Sequence, residues 1–266
     1  MSHARSAIVT VAYGQSTEHL DYTFASFAIN EGVPLHAFIV ASQLPKQRLP
    51  EIQYHLVTSQ SDFSHPLREV YFRRLELIDS LEVDYVLVVD SYDVFCLQPL
   101  PPFADVLGRC VVAACVEHAG SRFVLGQGYT SNFLNGGVFF WNVPASREMR
   151  REIVARGRSY FRTVADDQYV TNEVIQTKYY DRLRILPCQY NYRPHLGIKQ
   201  RGWPTVRHLD GVLIYHNATC MELAKRLPSV KPKAELPPLP QDGRPLTKRE
   251  QFWRRLRNRF VPHIAR

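Results

Sequence analysis

Cysteine is scarce in this sequence and unpatterned where it occurs. The five residues, Cys96, Cys110, Cys115, Cys188 and Cys220, are an odd number with no C-x-x-C spacing, so neither a disulfide framework nor a zinc site is indicated. A reducing, cytoplasmic compartment is the expectation. No apolar window approaches the ~20 residues that cross a bilayer. The first one, "AIVTVAY", is short, lacks a cleavage-type flank and reads as a strand rather than a leader. No G-x-G-x-x-G follows it, which removes the dinucleotide fingerprint of an oxidoreductase. Nor does "AYGQSTEH" supply the Gly-rich basic loop that a sugar nucleotidyltransferase needs after its first strand. No internal repeat is visible.

What is present fits a soluble enzyme: 266 residues, 45% hydrophobic and 22% charged, enough for one sizeable core, with a single main domain as the default. The net charge of +8 is not spread over it. Seven Lys/Arg against one Glu in residues 247–266 give that tail +6 and leave +2 to residues 1–246. Six prolines between Pro228 and Pro245 mark residues 228–246 as an extended linker or strap. Three units follow: a domain over 1–227, the linker, and a basic helix over 247–266. In the tail, "TKRE" fits a capping box on Thr247 and Glu250, and Phe252, Trp253, Leu256 and Phe260 share one helical face. Such a face suits an anionic membrane surface, at the inner side of the membrane for a cytoplasmic protein, or docking on the body of the protein itself. Nucleic acid is a weaker third partner, because the domain offers no supporting basic surface.

Apolar runs at 7–13, 35–41 and 85–89 alternate with segments of helical period at 18–30 and 66–81, the βαβ rhythm of a sheet covered on both faces. An α/β fold with a mixed, mostly parallel, Rossmann-like sheet is expected. Further strands are expected at 110–116, 136–142, 183–187 and 211–216, and helices near 146–156 and 167–178, with Asp166 as an N-cap of the last.

The run "VDYVLVVDSYDVFCLQPL" stops abruptly at Asp90 and Asp93. In open parallel sheets ligands lie beyond the carboxyl ends of the strands. Two carboxylates so close repel unless something positive lies between them, and a divalent cation is the simplest remedy. The alternative is that one aspartate caps the following turn while the other is solvated.

"VVDSYDV" resembles the metal-binding segment of GT-A glycosyltransferases, most closely the glycosyltransferase domain of the procollagen lysyl hydroxylases and more distantly glycosyltransferase family 8. Three further segments follow in that order: "FLNGGVFFWN" (133–142) is similar to the donor-sugar segment, "ADDQYVTNEV" (165–174) to the D-D-Q motif, and "VLIYHNA" (212–218) to the late strand ending in a metal-binding histidine. The resemblance implies a transfer of a hexose from UDP-glucose or UDP-galactose to an acceptor hydroxyl, with retention of configuration. It implies that Asp90, Asp93 and His216 bind the metal, Mn²⁺ suiting the imidazole slightly better than Mg²⁺. It further implies that Tyr92 stacks on the uracil, and that Ala12 and Tyr13 grip the base. Arg74 falls near the nucleotide. Asn135, Gly136 and Gly137 line the sugar pocket, with a β-bulge as the alternative reading of the two glycines, and Asp166, Asp167 and Gln168 reach the sugar hydroxyls and the anomeric region. The loop after His216 departs from the pattern: Asn217 and Ala218 follow directly, where the collagen-modifying enzymes continue Gly-Asn-Gly, and no lysine stands where a phosphate-binding one is expected, a place that Lys225 or a residue elsewhere could fill. Residues 124–132, rich in Gly, Ser and Thr, are a candidate loop over the donor. The expected acceptor is a cell-surface glycan or lipid-linked saccharide. The alternatives are a modified DNA base as acceptor, or a noncatalytic sugar-nucleotide binder.

Overall fold

The computed structural model describes residues 4–14, 20, 23–59, 66–116, 133–159, 166–192 and 211–216. The Pro-rich segment, the basic tail, the 124–132 loop, Asn217, Cys220 and Lys225 fall outside them. Nine strands are described: β1 (Ser6–Tyr13), β2 (Leu35–Val40), β3 (Ile52–Val57), β4 (Tyr85–Val89), β5 (Val94–Cys96), β6 (Val112–Val116), β7 (Leu134–Asn142), β8 (Leu183–Leu186) and β9 (Ile214–His216). Seven of them form one sheet in the order β3-β2-β1-β4-β7-β6-β8. The first four run parallel, β6 and β8 run parallel, and β7 is antiparallel to both of its neighbours. The sheet is therefore mixed and mostly parallel, as expected.

That one reversed strand positions the site. Because β7 opposes β4 with Val89 against Val138, the start of β7 lies beside the carboxyl end of β4, where a parallel sheet presents its ligands. The backbone N–H of Asp90 donates to the Gly137 carbonyl at 2.9 Å, extending the ladder by one residue.

Alternate side chains of the sheet feed two cores. On one face Val9, Val11, Phe38, Val40, Val86 and Val88 meet Val70, Phe72 and Leu75 of α1 (Pro66–Leu77), Met149 and Ile153 of α2 (Arg147–Ser159), and Val170, Val174 and Ile175 of α3 (Asp166–Lys178). Gly157 admits the ring of Phe72 between α2 and α1, since a Cβ there would collide with it. On the other face Ile8, Leu35, Ile39, Leu87 and Val89 pack on Phe24 and Phe27, on a short helix at Phe103–Leu107, and on Val94 and Ile214. Each large apolar side chain so buried stabilises the fold by about 1.5–3 kcal/mol.

Three local expectations change. Within the span expected to be helical at 18–30, residues Phe24–Ile29 form a 3-10 helix, because side chains there bond the backbone: Ser26 Oγ donates to the Thr23 carbonyl and Asn30 Nδ2 to the Phe27 carbonyl. Strand β3 was hidden by its composition, being an edge strand whose central residues are only partly buried. Asp166 is the first helical residue of α3 rather than the residue before it. Strand β5 and the helix at Phe103–Leu107 are further elements not expected from the sequence, and the ends of the remaining expected elements differ by a few residues, the range in which helix and strand ends fray.

Candidate metal and donor site

The turn after β4 is tied down from two sides. Thr10 Oγ1 donates to the Val89 carbonyl at 2.9 Å, and Thr23 Oγ1 donates to the Ser91 carbonyl at 2.8 Å. The chain then enters β5, which pairs antiparallel with β9 and sets Val94 opposite His216. This short ladder brings a histidine from 123 positions away beside Asp93. One ligand atom from each of Asp90, Asp93 and His216 lies within 4.8 Å of the others. Asp93 and His216 are buried and Asp90 is half-buried.

The fit to a divalent cation can be tested on the surroundings. His216 Nε2 lies 3.3 Å from Asp93 Oδ1. A Cβ at residue 137 would collide with His216 Cε1 and stand 2.7 Å from Asp90 Oδ2, so glycine there keeps the space between these groups clear. Two carboxylates and one imidazole around a cleared, partly dry space are a donor set suited to Mn²⁺ and, less well, to Mg²⁺. The residues fit the ion.

Arg74 of α1 occupies the opposite flank. Its Nη1 donates to Asp90 Oδ1 at 2.7 Å, and its Nη2 donates to the Gly136 carbonyl at 2.8 Å and to Asp167 Oδ2 at 3.2 Å. The guanidinium carbon lies 5.6 Å from the centroid of the Tyr71 ring. Burial opposes its charge, but Asp90 and Asp167 outweigh burial and hold the guanidinium above its ordinary pKa. Burial pushes the Asp167 carboxyl up to about 6, against the pull of Arg74 and with a further push from Asp90. Burial also raises the Tyr71 phenol to about 12, helped by the same two carboxylates.

The start of β7 is pinned to α3. Gln168 Oε1 accepts from the Gly136 N–H at 3.0 Å, and Asn172 accepts from the Leu134 N–H at 2.6 Å while donating to the Leu134 carbonyl at 2.9 Å. Asn135 is buried, and its Oδ1 accepts from the Gly137 N–H at 3.0 Å and from Asn191 Nδ2 at 2.7 Å. Asn172 and Asn191 are not singled out by the sequence, since neither "VTNEV" nor "QYNY" gives the amide a distinguishing local pattern.

The remaining candidates divide. Ala12 is buried near the end of β1, whereas Tyr13 is 46% exposed and Tyr92 is 51% exposed. Since β1 and β4 are adjacent, both rings stand at the same rim of the sheet. Asp167, Gln168, Arg74, Asn135, Gly136 and Gly137 converge with the three metal-ligand candidates. The side chain of Asp166 and all of Asn217 fall outside the described residues.

No protein-family model and no curated protein matches the sequence. Solved structures do match the fold. The galactosyltransferase LgtC, in complex with donor and acceptor sugar analogs, superposes with a TM-score of 0.57 at 18% identity, covering 80% of this chain and 87% of that one. An active-site mutant of LgtC gives 0.56 at 16% identity over the same shares. The bifunctional glycosyltransferase WbbM in its apo form gives 0.57 at 15% identity over 80% of this chain, which spans only 46% of WbbM.

Proposed function

Starting from a chain with the GT-A type glycosyltransferase fold, we propose that it is a metal-dependent glycosyltransferase that moves a hexose from UDP-glucose or UDP-galactose to an acceptor hydroxyl. The observation that carries this reading is the convergence of Asp90, Asp93 and His216 within 4.8 Å at the carboxyl rim of β4, directly beside the Asn135–Gly137 segment and Asp167.

On this reading Asp90, Asp93 and His216 hold the cation, which when bound supplies Lewis-acid stabilisation of the departing diphosphate. Tyr13 and Tyr92 offer exposed rings to the uracil. Asp167 and Gln168 orient sugar hydroxyls, and Arg74 holds Asp90 and Asp167 in place, so that the donor meets a site needing little rearrangement. No covalent nucleophile is assigned, and we favour retention by a front-face displacement in which the leaving phosphate accepts the acceptor's proton. The acceptor we favour is a lipid-linked or cell-surface saccharide, reached by a cytoplasmic protein whose basic tail attaches to the inner face of the membrane.

A panel of UDP-sugars with Mn²⁺, read by thermal shift and by UDP release, tests this directly. One UDP-hexose should stabilise the chain and release UDP, and Asp93→Ala should lose both signals. Stabilisation without any UDP release, even slowly to water, would make the chain a binder and not an enzyme.

A further inference from the structure

The direction of the hydrogen bonds around His216 can be read outward from one fixed donor. The Gly137 backbone N–H can only donate, so the Asn135 atom that meets it at 3.0 Å is the amide oxygen. The Asn191 atom 2.7 Å from that same oxygen must then be the amide nitrogen. That turns the other end of the Asn191 amide, its Oδ1, toward His216 Nδ1 at 2.9 Å. An amide oxygen only accepts, so Nδ1 carries the hydrogen. In the neutral ring Nε2 is therefore a bare lone pair, and it faces the Asp93 carboxylate at 3.3 Å. Two acceptors then face each other across that gap, an arrangement that a proton or a metal cation between them resolves.

Asn191 and Asn135 are both buried, where an unmade hydrogen bond is costly. The relay also spans three separate elements: the start of β7, the turn after the 3-10 segment Cys188–Tyr190, and β9. Backbone bonds hold the last two together, with the His216 N–H donating to the Tyr192 carbonyl at 2.8 Å and the Tyr192 N–H to the Ile214 carbonyl at 2.9 Å.

We propose that Asn191 is a positioning residue that locks His216 in its Nδ1–H tautomer, leaving Nε2 free to ligate a divalent cation with Asp90 and Asp93. Asn135 orients Asn191 in turn, so the segment beside the donor sugar and the metal ligand are set by one hydrogen-bonded relay. Outer partners of this kind fix the tautomer of ligating histidines generally. The inference rests on the metal reading above and adds to it the residue that makes His216 a ligand.

The test uses the full chain, free of metal and labelled with ¹⁵N-histidine, with His216→Gln to assign the resonance. Long-range ¹H–¹⁵N spectra should show His216 as the Nδ1–H tautomer. Mn²⁺ alone is then titrated by calorimetry. Asn191→Leu removes the acceptor at similar volume and should shift the tautomer toward Nε2–H and weaken Mn²⁺ by roughly 10–100-fold. Asn191→Asp keeps an acceptor for Nδ1 but turns its second oxygen toward the Asn135 oxygen, where the amide had donated, so some stability should be lost while the Nδ1–H tautomer is kept and Mn²⁺ affinity is kept or raised. An Nε2–H tautomer in the wild-type chain, or Asn191→Leu binding Mn²⁺ as tightly as wild type, overturns the proposal alone. Failure of the wild-type chain to bind Mn²⁺ overturns the metal reading and the proposal with it. Should Asn191→Leu not fold, the wild-type spectrum and Asn191→Asp still decide.

Discussion

Asp90 and Asp93 stand three residues apart and are held in opposite ways. Asp90 is paired within the protein, its Oδ1 accepting from Arg74 at 2.7 Å in a network that also ties Asp167 and the Gly136 carbonyl. Asp93 meets the Nε2 side of the His216 imidazole at 3.3 Å, and among the described residues no lysine or arginine bonds it. The β4–α1–α3 flank is thus finished electrostatically, while the β5–β9 flank is built to receive positive charge. A site of this kind keeps a rigid floor without an ion and reserves its affinity for one.

The largest effect should come from breaking the finished flank. Arg74→Met leaves Asp90 and Asp167 without their shared cation, and removing one partner of a buried pair costs about 3–5 kcal/mol. Chemical denaturation should show this loss, whereas Arg74→Lys should recover part of it.

Breaking the open flank should do the reverse. Asp93→Asn removes a ligand and a charge, so Mn²⁺ affinity should fall beyond the ~100-fold that marks loss of an outer-shell partner. Thermal stability in the absence of metal should stay the same or rise, because the acceptor–acceptor contact is relieved. A destabilised Asp93→Asn would mean that this aspartate serves the fold.

Gly137→Ala strikes both flanks through their common wall, since the added methyl meets His216 and Asp90. Overpacking of this sort costs about 1–3 kcal/mol, and Mn²⁺ binding should weaken with it. Gly136→Ala makes a useful contrast, because its nearest neighbour, Gln168 Oε1, is 3.3 Å away on a side chain.

The smallest effect comes from outside the site and must be separated from it. His36 Nδ1 lies 2.9 Å from His55 Nε2 on the neighbouring strands β2 and β3, with Gln53 beside His36 in register and Phe38 stacked on His55. Burial, assisted by His55, lowers the His36 pKa from 6.5 to about 4. Between those values the unfolded chain binds more protons than the folded one, so stability is fully present above pH 6.5 and falls as the pH drops toward 4. His36→Gln should flatten that slope in thermal melts without altering Mn²⁺ affinity near neutral pH.

Much of the first flank was legible in the sequence because its signals are local. An apolar run ending in two aspartates marks a strand and its rim, and the period of residues 66–81 marks α1. That Arg74 would bond Asp167, 93 positions away, is not written in any window of the chain. The second flank was harder still. Strands β5 and β9 have three residues each, too few for alternation to register, so His216 could be matched only through resemblance. Asn191 was silent, since its role depends on meeting three elements at once and an isolated amide has no period. The reversal of β7 was equally hidden, because a buried strand reads the same in both directions.

The most direct measurement is a calorimetric titration of Mn²⁺ into the full chain, with and without UDP. The account predicts one site per chain, tightened by UDP and lost in Asp93→Asn. UDP binding that persists unchanged in excess chelator, or an Asp93→Asn chain that still takes up one Mn²⁺ with wild-type affinity, would contradict it.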